Sequence, residues 1–224
     1  MGWARLSSSS VWRTVCGLLW GVCLASARAD GLQSLQDFLQ HSRSGQAAFV
    51  QKVTAPARAG QAPRVKVSSG RLAYQRPERF RIDYEKPDVQ TLLGDGRQFW
   101  FVDADLQQVT VRDQKSVLSS APVALILTAT QLDALRASFD LKNLPDADGM
   151  FWVEISPKST EGTLRQLRVG LKGQGTQARV AVLEFADGFG QTSRLELSAF
   201  ESPAVLPSQT FELKPPAGYQ VLRP

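Results

Sequence analysis

The sequence predicts a mainly β fold in which one antiparallel sheet, curled or closed, is combined with a few helices. Short segments of alternating apolar and polar residues recur through most of the chain, and turn residues separate them. Only two regions have helical spacing or composition, and no linker or internal repeat divides the pattern. We therefore expect a single domain over residues 30–224.

The first 29 residues are typical of a secretory signal peptide. Arg5 and Arg13 precede an apolar stretch that continues to Ala25, and Ala27 and Ala29 are the small residues that precede a cleavage site. We expect cleavage before residue 30. The apolar run is shorter than the ~20 residues that a membrane-spanning helix needs.

Removal of this segment would change the composition of the mature chain. Both cysteines, Cys16 and Cys23, would be lost with three arginines and no acidic residue, so the formal net charge falls from +5 to +2. Val22 is not the small residue that a lipoprotein signal places before its cysteine, so we do not expect lipidation. The nearly balanced charge, with no basic run, argues against nucleic acid as a partner and against electrostatic attraction to anionic membranes. No later segment is long and apolar enough to span a bilayer, so we expect no stable membrane insertion.

The predicted elements are one longer helix, one or two short helices and twelve strands. Leu32, Leu35, Phe38 and Leu39 recur at helical spacing and predict a helix over residues 31–43, with Gly45 as its stop. Strands are predicted over residues 49–53, 64–67, 70–75, 79–85, 89–93, 98–102 and 107–112. Short helices over residues 122–127 and 131–138 precede strands over residues 150–156, 164–171, 179–185, 193–198 and 210–214.

Arg76 is the unusual residue of the predicted strands. Side chains alternate across a strand, so Leu72 and Tyr74 share an apolar face, and Arg76 is in phase with them. A guanidinium in an apolar interior must find hydrogen-bond partners, because an unpaired buried charge is costly. Arg76 is therefore either a catch or binding determinant inside the fold, or a strand-end residue that reaches solvent.

The strands and helices supply many apolar side chains to one interior. These residues either fill an ordinary core or line an apolar cavity beneath the helices, and periodicity does not distinguish the two arrangements. The candidate cavity residues are Leu35, Phe38, Leu72, Tyr74, Phe80, Ile82, Tyr84, Trp100, Leu125 and Ile126.

Residues typical of enzyme active sites are scarce. His41 is the only histidine, and the sequence contains neither a Gly-x-Ser-x-Gly motif nor a phosphate-binding loop. The pairs Asp103 and Asp105, and Asp146 and Asp148, are typical of turns. We expect no catalytic residue, no metal site and no cofactor.

Several weak motifs occur together in the order and spacing of a known family. They are Phe49-Val50-Gln51-Lys52-Val53, Gly70-x-Leu72, Arg76-Pro77-x-x-Phe80, Pro87, Asp95-Gly96, Trp100-Phe101, Pro122, Leu125, residues 151–155 with Pro157-Lys158, Leu164, Leu167, Phe211 and Pro215-Pro216-x-Gly218. Through these motifs most of the mature chain resembles LolA, the family of periplasmic carriers that move lipoproteins between the two membranes of Gram-negative bacteria.

The resemblance implies an incomplete, strongly curved antiparallel β-barrel with a helical lid over an apolar cavity. It also implies that Arg76 is a lid latch, which bonds lid carbonyls in the empty form, and that Phe80 takes part in cargo loading. Members often have tryptophan where this chain has Ile82, and a C-terminal extension seen in some members is short or missing here. The shape of the cavity and any role of such an extension therefore stay open.

The function implied is that of a monomeric chaperone of the periplasm. It would accept acylated lipoproteins from an inner-membrane ABC transporter, shield their acyl chains and deliver them to a LolB-like outer-membrane acceptor. Two other functions remain open: an envelope sensor or scaffold for lipoprotein, and a carrier of a non-protein lipid.

Overall fold

The computed structural model describes residues 1–2, 30–57, 60–118, 121–160 and 162–224. The predicted signal peptide, including Cys16 and Cys23, lies outside the described residues apart from Met1 and Gly2. In the described part, twelve strands form one sheet, and four α-helices accompany it.

The strands are β1 (Ser44–Ala55), β2 (Arg64–Gln75), β3 (Arg79–Lys86), β4 (Gln90–Asp95), β5 (Gln98–Asp103), β6 (Gln108–Asp113), β7 (Phe139–Ala147), β8 (Met150–Pro157), β9 (Leu164–Lys172), β10 (Arg179–Asp187), β11 (Thr192–Glu201) and β12 (Gln220–Leu222). The helices are α1 (Gly31–His41), α2 (Gln114–Leu118), α3 (Pro122–Thr128) and α4 (Leu132–Arg136). Because α2, α3 and α4 follow one another between β6 and β7, we call these three helices the helical lid.

The sheet is open rather than closed. Its strand order is β12-β6-β5-β4-β3-β2-β1-β11-β10-β9-β8-β7, so β12 and β7 form its two edges. Neighbouring strands are antiparallel except β12 and β6, which run parallel. The predicted mainly β fold with a few helices is therefore confirmed, with one parallel pair added at an edge.

Alternation places the apolar residues of β2 and β3 on one face. Across this strand pair Tyr74 lies opposite Phe80, and Leu72 lies opposite Ile82. Facing residues of one antiparallel pair share a side of the sheet, so these four side chains point the same way. We call this side the inner face, and the side that carries Arg81 the outer face.

Helix α1 begins and ends at well-defined caps. The Asp30 carboxylate accepts a hydrogen bond from the Gln33 N–H at 2.8 Å, and the Ser42 N–H donates to the Phe38 carbonyl at 3.0 Å. The helix thus ends at His41, two residues before the predicted end. The helix contacts β7 to β10, and it buries Leu35 and Phe38.

Other predicted boundaries need correction. Gly45 lies inside β1 and does not stop the helix, and the two strands predicted within residues 64–75 are one continuous strand. Residues 210–214 are not a strand, because a 3-10 turn covers Ser208–Phe211. Strands β7 and β12 and helix α2 were not expected from the pattern.

The C-terminal segment, residues 202–219, crosses the outer face before β12 joins the sheet edge. Its 3-10 turn contacts β3 and β4, and Phe211 is buried there. The outer-face residues Leu93 and Val111, on β4 and β6, are also buried. The outer face of this half is therefore a second apolar contact surface rather than a solvent-exposed one.

Candidate functional site

The lid and α1 cover the inner face through one continuous apolar cluster. Leu35, Phe38, Leu72, Tyr74, Phe80, Ile82 and Ile126 all belong to it, and none is more than 3% exposed. Leu125 and Tyr84 are partly buried and pack against the same cluster. Nine of the ten candidate cavity residues are thus brought together by the fold.

The cluster is closely packed in this conformation. Phe38 lies 6.2 Å from both Tyr74 and Phe200, measured between ring centroids, and Phe80 lies 6.3 Å from Phe99. Among the described residues the candidate side chains pack against one another rather than lining an open cavity. The lid is therefore closed over the inner face in this structure.

Arg76 joins the lid to the body of the fold. It follows β2 directly, and its side chain turns inward from the strand end. Its Nη1 donates a hydrogen bond to the carbonyl of Ser42, at the end of α1, and its Nη2 donates to the carbonyl of Ile126 in α3 at 3.2 Å. One arm of the guanidinium fork thus holds the body, and the other holds the lid.

Aromatic rings support the same guanidinium. The Arg76 Cζ atom lies 4.5 Å from the centroid of Phe38 and 4.9 Å from that of Tyr74. Such stacking on π faces favours a cation that has left water. Desolvation lowers the pKa of Arg76 to about 10, and the nearby Tyr74 opposes this change.

The hydrogen bonding of Arg76 is incomplete. The Nε atom is buried and finds no acceptor among the described residues. A guanidinium has five N–H donors, and a buried donor without a partner carries a desolvation cost. The two hydrogen bonds of Arg76 therefore offset its desolvation cost only in part.

Trp100 does not belong to the inner cluster, and its place in the cavity was predicted wrongly. It lies opposite Leu93 and Val111 in the sheet, both on the outer face. The indole N–H donates to the Asp95 carboxylate at 3.1 Å. The adjacent aromatic residues of β5 face inward instead, and they are Phe99 and Phe101.

Tyr84 has a polar partner on the inner face. Its hydroxyl donates to the Gln51 side-chain oxygen at 2.6 Å, and burial raises the pKa of the phenol to about 12. Its ring packs against Phe49 with a centroid distance of 5.1 Å. Tyr84 thus closes the apolar cluster on one side rather than occupying its centre.

His41 and Asp103, two of the polar residues weighed as catalytic candidates, have structural partners. The imidazole Nδ1 of His41 lies 2.9 Å from the Asp37 carbonyl, as expected at a helix end. Asp103 accepts the Leu106 N–H at 3.0 Å, and Asp148 occupies a turn with φ of 55°. Within the described ranges, no group of three or more His, Cys, Asp and Glu residues is arranged to hold a metal ion.

Several residues of the site were missed by the sequence patterns. Ser42, Phe99 and Phe200 contact the candidate residues but were not singled out. Alternation places Phe99 and Phe101 on the same face of β5, but it does not indicate that this face is the inner one. Ser42 carries no local signal, because its role depends on Arg76, 34 residues away.

The chain matches the family model described as "Outer membrane lipoprotein carrier protein LolA" over residues 40–214. A protein named outer-membrane lipoprotein carrier protein from Albidiferax ferrireducens is 48% identical over 206 residues, which is 90% of this chain and 97% of the relative. Proteins of the same name from Leptothrix cholodnii and Methylibium petroleiphilum are 42% and 41% identical. They cover 88% and 92% of this chain, and the matches span 88% and 98% of their own lengths.

A solved structure of an uncharacterised conserved protein from Thermus thermophilus has a similar fold. The TM-score is 0.52 at 13% identity, and the match covers 86% of this chain and 97% of the other. None of the described helices is both long and apolar enough to cross a bilayer. The family match and the close relatives together settle the classification: the chain belongs to the LolA family of outer-membrane lipoprotein carrier proteins.

Proposed function

We propose that this protein is a periplasmic carrier that takes up acylated lipoproteins, shields their acyl chains and delivers them to the outer membrane. The observation that carries the proposal is the buried Arg76 guanidinium, which joins the lid to the body above an apolar cluster. The relatives named as outer-membrane lipoprotein carrier proteins support the same function.

Acyl chains need such a shield in water. Each methylene removed from water contributes ~0.8 kcal/mol, so a multiply acylated protein resists leaving a membrane by tens of kcal/mol. A carrier must replace most of that apolar contact. The buried side chains of the inner face, including Phe80 and Ile82, become available for it when the lid moves away from β2 and β3.

Release is as important as binding for a carrier. When the lid closes on an empty interior, the Ile126 carbonyl regains the Arg76 hydrogen bond and the apolar side chains regain one another. A ligand shifts such an equilibrium only by its differential affinity for the two forms. Closure therefore opposes retention of the cargo and assists transfer.

The partners follow from this energetics. Energy for lifting the acyl chains from the inner membrane would come from an ABC transporter, since the carrier needs a donor that uses ATP. A LolB-like acceptor with higher lipid affinity would complete delivery. The work of the carrier itself is then limited to opening and closing the lid.

The test uses mature protein and inner-membrane vesicles that contain the transporter and a lipoprotein. We expect ATP-dependent formation of a soluble complex with the acylated lipoprotein, and none with a matched lipoprotein whose acylated cysteine is replaced by serine. The complex should then pass its cargo to acceptor-bearing outer-membrane vesicles. Equal capture of the unacylated protein, or capture of free lipids only, would exclude the proposed carrier function.

A further inference from the structure

A chain of three hydroxyl groups lies directly beneath Arg76. The hydroxyls of Ser42 and Tyr74 share a hydrogen bond, and the Ser42 and Ser202 oxygens are 2.6 Å apart. Ser202 in turn donates to the Ser44 carbonyl at 2.8 Å. Tyr74 and Ser42 are both buried.

The direction of this chain can be deduced from the number of protons. Each hydroxyl carries one proton, and the Ser202 proton is used on the Ser44 carbonyl. Ser42 must therefore donate to Ser202, and Tyr74 must donate to Ser42. The result is a hydrogen-bonded series that starts at Tyr74 and ends on the backbone of β1, and such series strengthen cooperatively.

The chain connects three separate parts of the fold. Tyr74 lies in β2, Ser42 follows α1, and Ser202 begins the C-terminal segment. A second bond, from the Ser44 hydroxyl to the Ala204 carbonyl at 3.0 Å, holds the same junction. The backbone carbonyl of Ser42, which accepts a hydrogen bond from Arg76, is thus fixed through its own side chain.

Gly45 leaves the space that Tyr74 occupies. The two residues face each other across β1 and β2. A Cβ atom on Gly45 would lie 2.6 Å from the Tyr74 hydroxyl oxygen and 2.7 Å from a ring carbon. Glycine is needed at this position to make room for the phenol ring.

We propose that Tyr74 is a positioning residue of the latch, because its hydroxyl fixes Ser42 and thereby the body-side arm of Arg76. This inference rests on the proposed carrier function and adds a residue to its latch. With Nη1 held on Ser42, Nη2 is directed at the Ile126 carbonyl. Without the Tyr74 hydroxyl, Arg76 would exchange between orientations and hold the lid for a smaller fraction of the time.

The experiment measures how often the lid opens. Residues 30–224 contain no cysteine, so Ala124→Cys, on the buried side of α3 and 1% exposed, places a single thiol under the lid. The rate at which a soluble thiol reagent modifies this cysteine is proportional to the open population when closing is fast. Tyr74→Phe and Tyr84→Phe are compared in this background.

Tyr84→Phe is the matched control. This variant also removes a phenolic hydroxyl on the inner face, one that donates a short hydrogen bond to Gln51. The Tyr84 hydroxyl is not hydrogen-bonded to Ser42 or Arg76. We expect about five-fold faster thiol modification with Tyr74→Phe, as for the loss of one neutral hydrogen bond, and no change with Tyr84→Phe. Thermal unfolding should shift by similar amounts in both variants.

Two results would overturn the inference: unchanged modification with Tyr74→Phe, or equal acceleration by both variants. Arg76→Leu, measured in the same background, separates this inference from the latch itself. If Arg76→Leu opens the lid and Tyr74→Phe does not, the positioning role fails while the latch stands. If Arg76→Leu leaves the thiol protected, the latch fails.

Discussion

Replacing Arg76 with leucine should separate binding of cargo from its release. The side chain makes two hydrogen bonds, but only the one to Ile126 crosses to the lid. The bond to Ser42 stays within the body and should persist when the lid opens. The lid therefore loses one hydrogen bond to a charged donor, which contributes about 1.5–3 kcal/mol net of exchange with water.

This magnitude corresponds to a roughly 10- to 150-fold shift of the lid equilibrium away from the closed form. In the proposed mechanism cargo dissociation is coupled to closure, so Arg76→Leu should keep the fold and bind acylated lipoprotein at least as well as the parent protein. Its transfer to an acceptor should slow by a similar factor. The phenotype is a carrier that loads but does not deliver.

The assay follows transfer of acylated lipoprotein from the purified complex to vesicles that contain the acceptor. Arg79→Leu is the matched control, because Arg79 is an exposed arginine near the same strand end. We expect normal transfer with Arg79→Leu. Normal transfer with Arg76→Leu, in a folded protein, would refute the latch.

Three further predictions concern the interior, the outer face and pH. Phe80→Leu should block loading from inner-membrane vesicles, whereas Phe99→Leu, which removes the neighbouring ring, should not. Both variants should lose comparable thermal stability. Equal loading of the two variants would remove Phe80 from the loading step. Phe211→Ala should lower the free energy of unfolding by about 3–5 kcal/mol in chemical denaturation, because it leaves a cavity where a buried aromatic ring packed. Val205→Ala, at a 97% exposed residue, should leave the free energy of unfolding unchanged. An unchanged stability of the Phe211 variant would show that the C-terminal segment is not anchored there. Lid opening should be independent of pH between roughly 6 and 9, because Arg76 stays charged below its pKa of about 10. Its depressed pKa favours closure with rising pH only above that value. Thiol protection is measured relative to a free cysteine peptide at the same pH, because the thiolate is the reactive form, and a change of this ratio near neutral pH would contradict the assignment to Arg76.

The inward direction of Arg76 could be predicted from the sequence, because strand alternation continues for one residue beyond β2. The phase that assigns Leu72 and Tyr74 to the interior also assigns Arg76 to it. The hydrogen-bond acceptors of Arg76 could not be predicted. The Ser42 and Ile126 carbonyls are backbone groups 34 and 50 residues away, and backbone groups leave no mark in a sequence.

Trp100 illustrates why the second half of the site could not be predicted. Phe99, Trp100 and Phe101 are consecutive aromatic residues, so alternation fixes that they divide between two faces but not which face is inner. The usual criterion is that the outer face is polar. Here that criterion fails, because Phe211 and the C-terminal segment cover the outer face and make it apolar as well.

Gly45 shows the same limitation for backbone signals. A glycine after an amphipathic segment is typical of a helix end, and the helix does end nearby, at His41. The reason for glycine lies instead across the sheet, in the ring of Tyr74. A local pattern can indicate that a glycine is needed, but the cause can be a side chain that is distant in sequence.

The central claim is that acyl chains enter the inner face of the sheet beneath the lid. Phe101 and Trp100 test it most directly, because they are adjacent aromatic residues of β5 on opposite faces. Each is replaced in turn by a photoreactive phenylalanine analogue, and the loaded carrier is irradiated. The account predicts crosslinks to the acylated lipoprotein from position 101 and none from position 100. Crosslinks from position 100 alone, or from both positions equally, would contradict it.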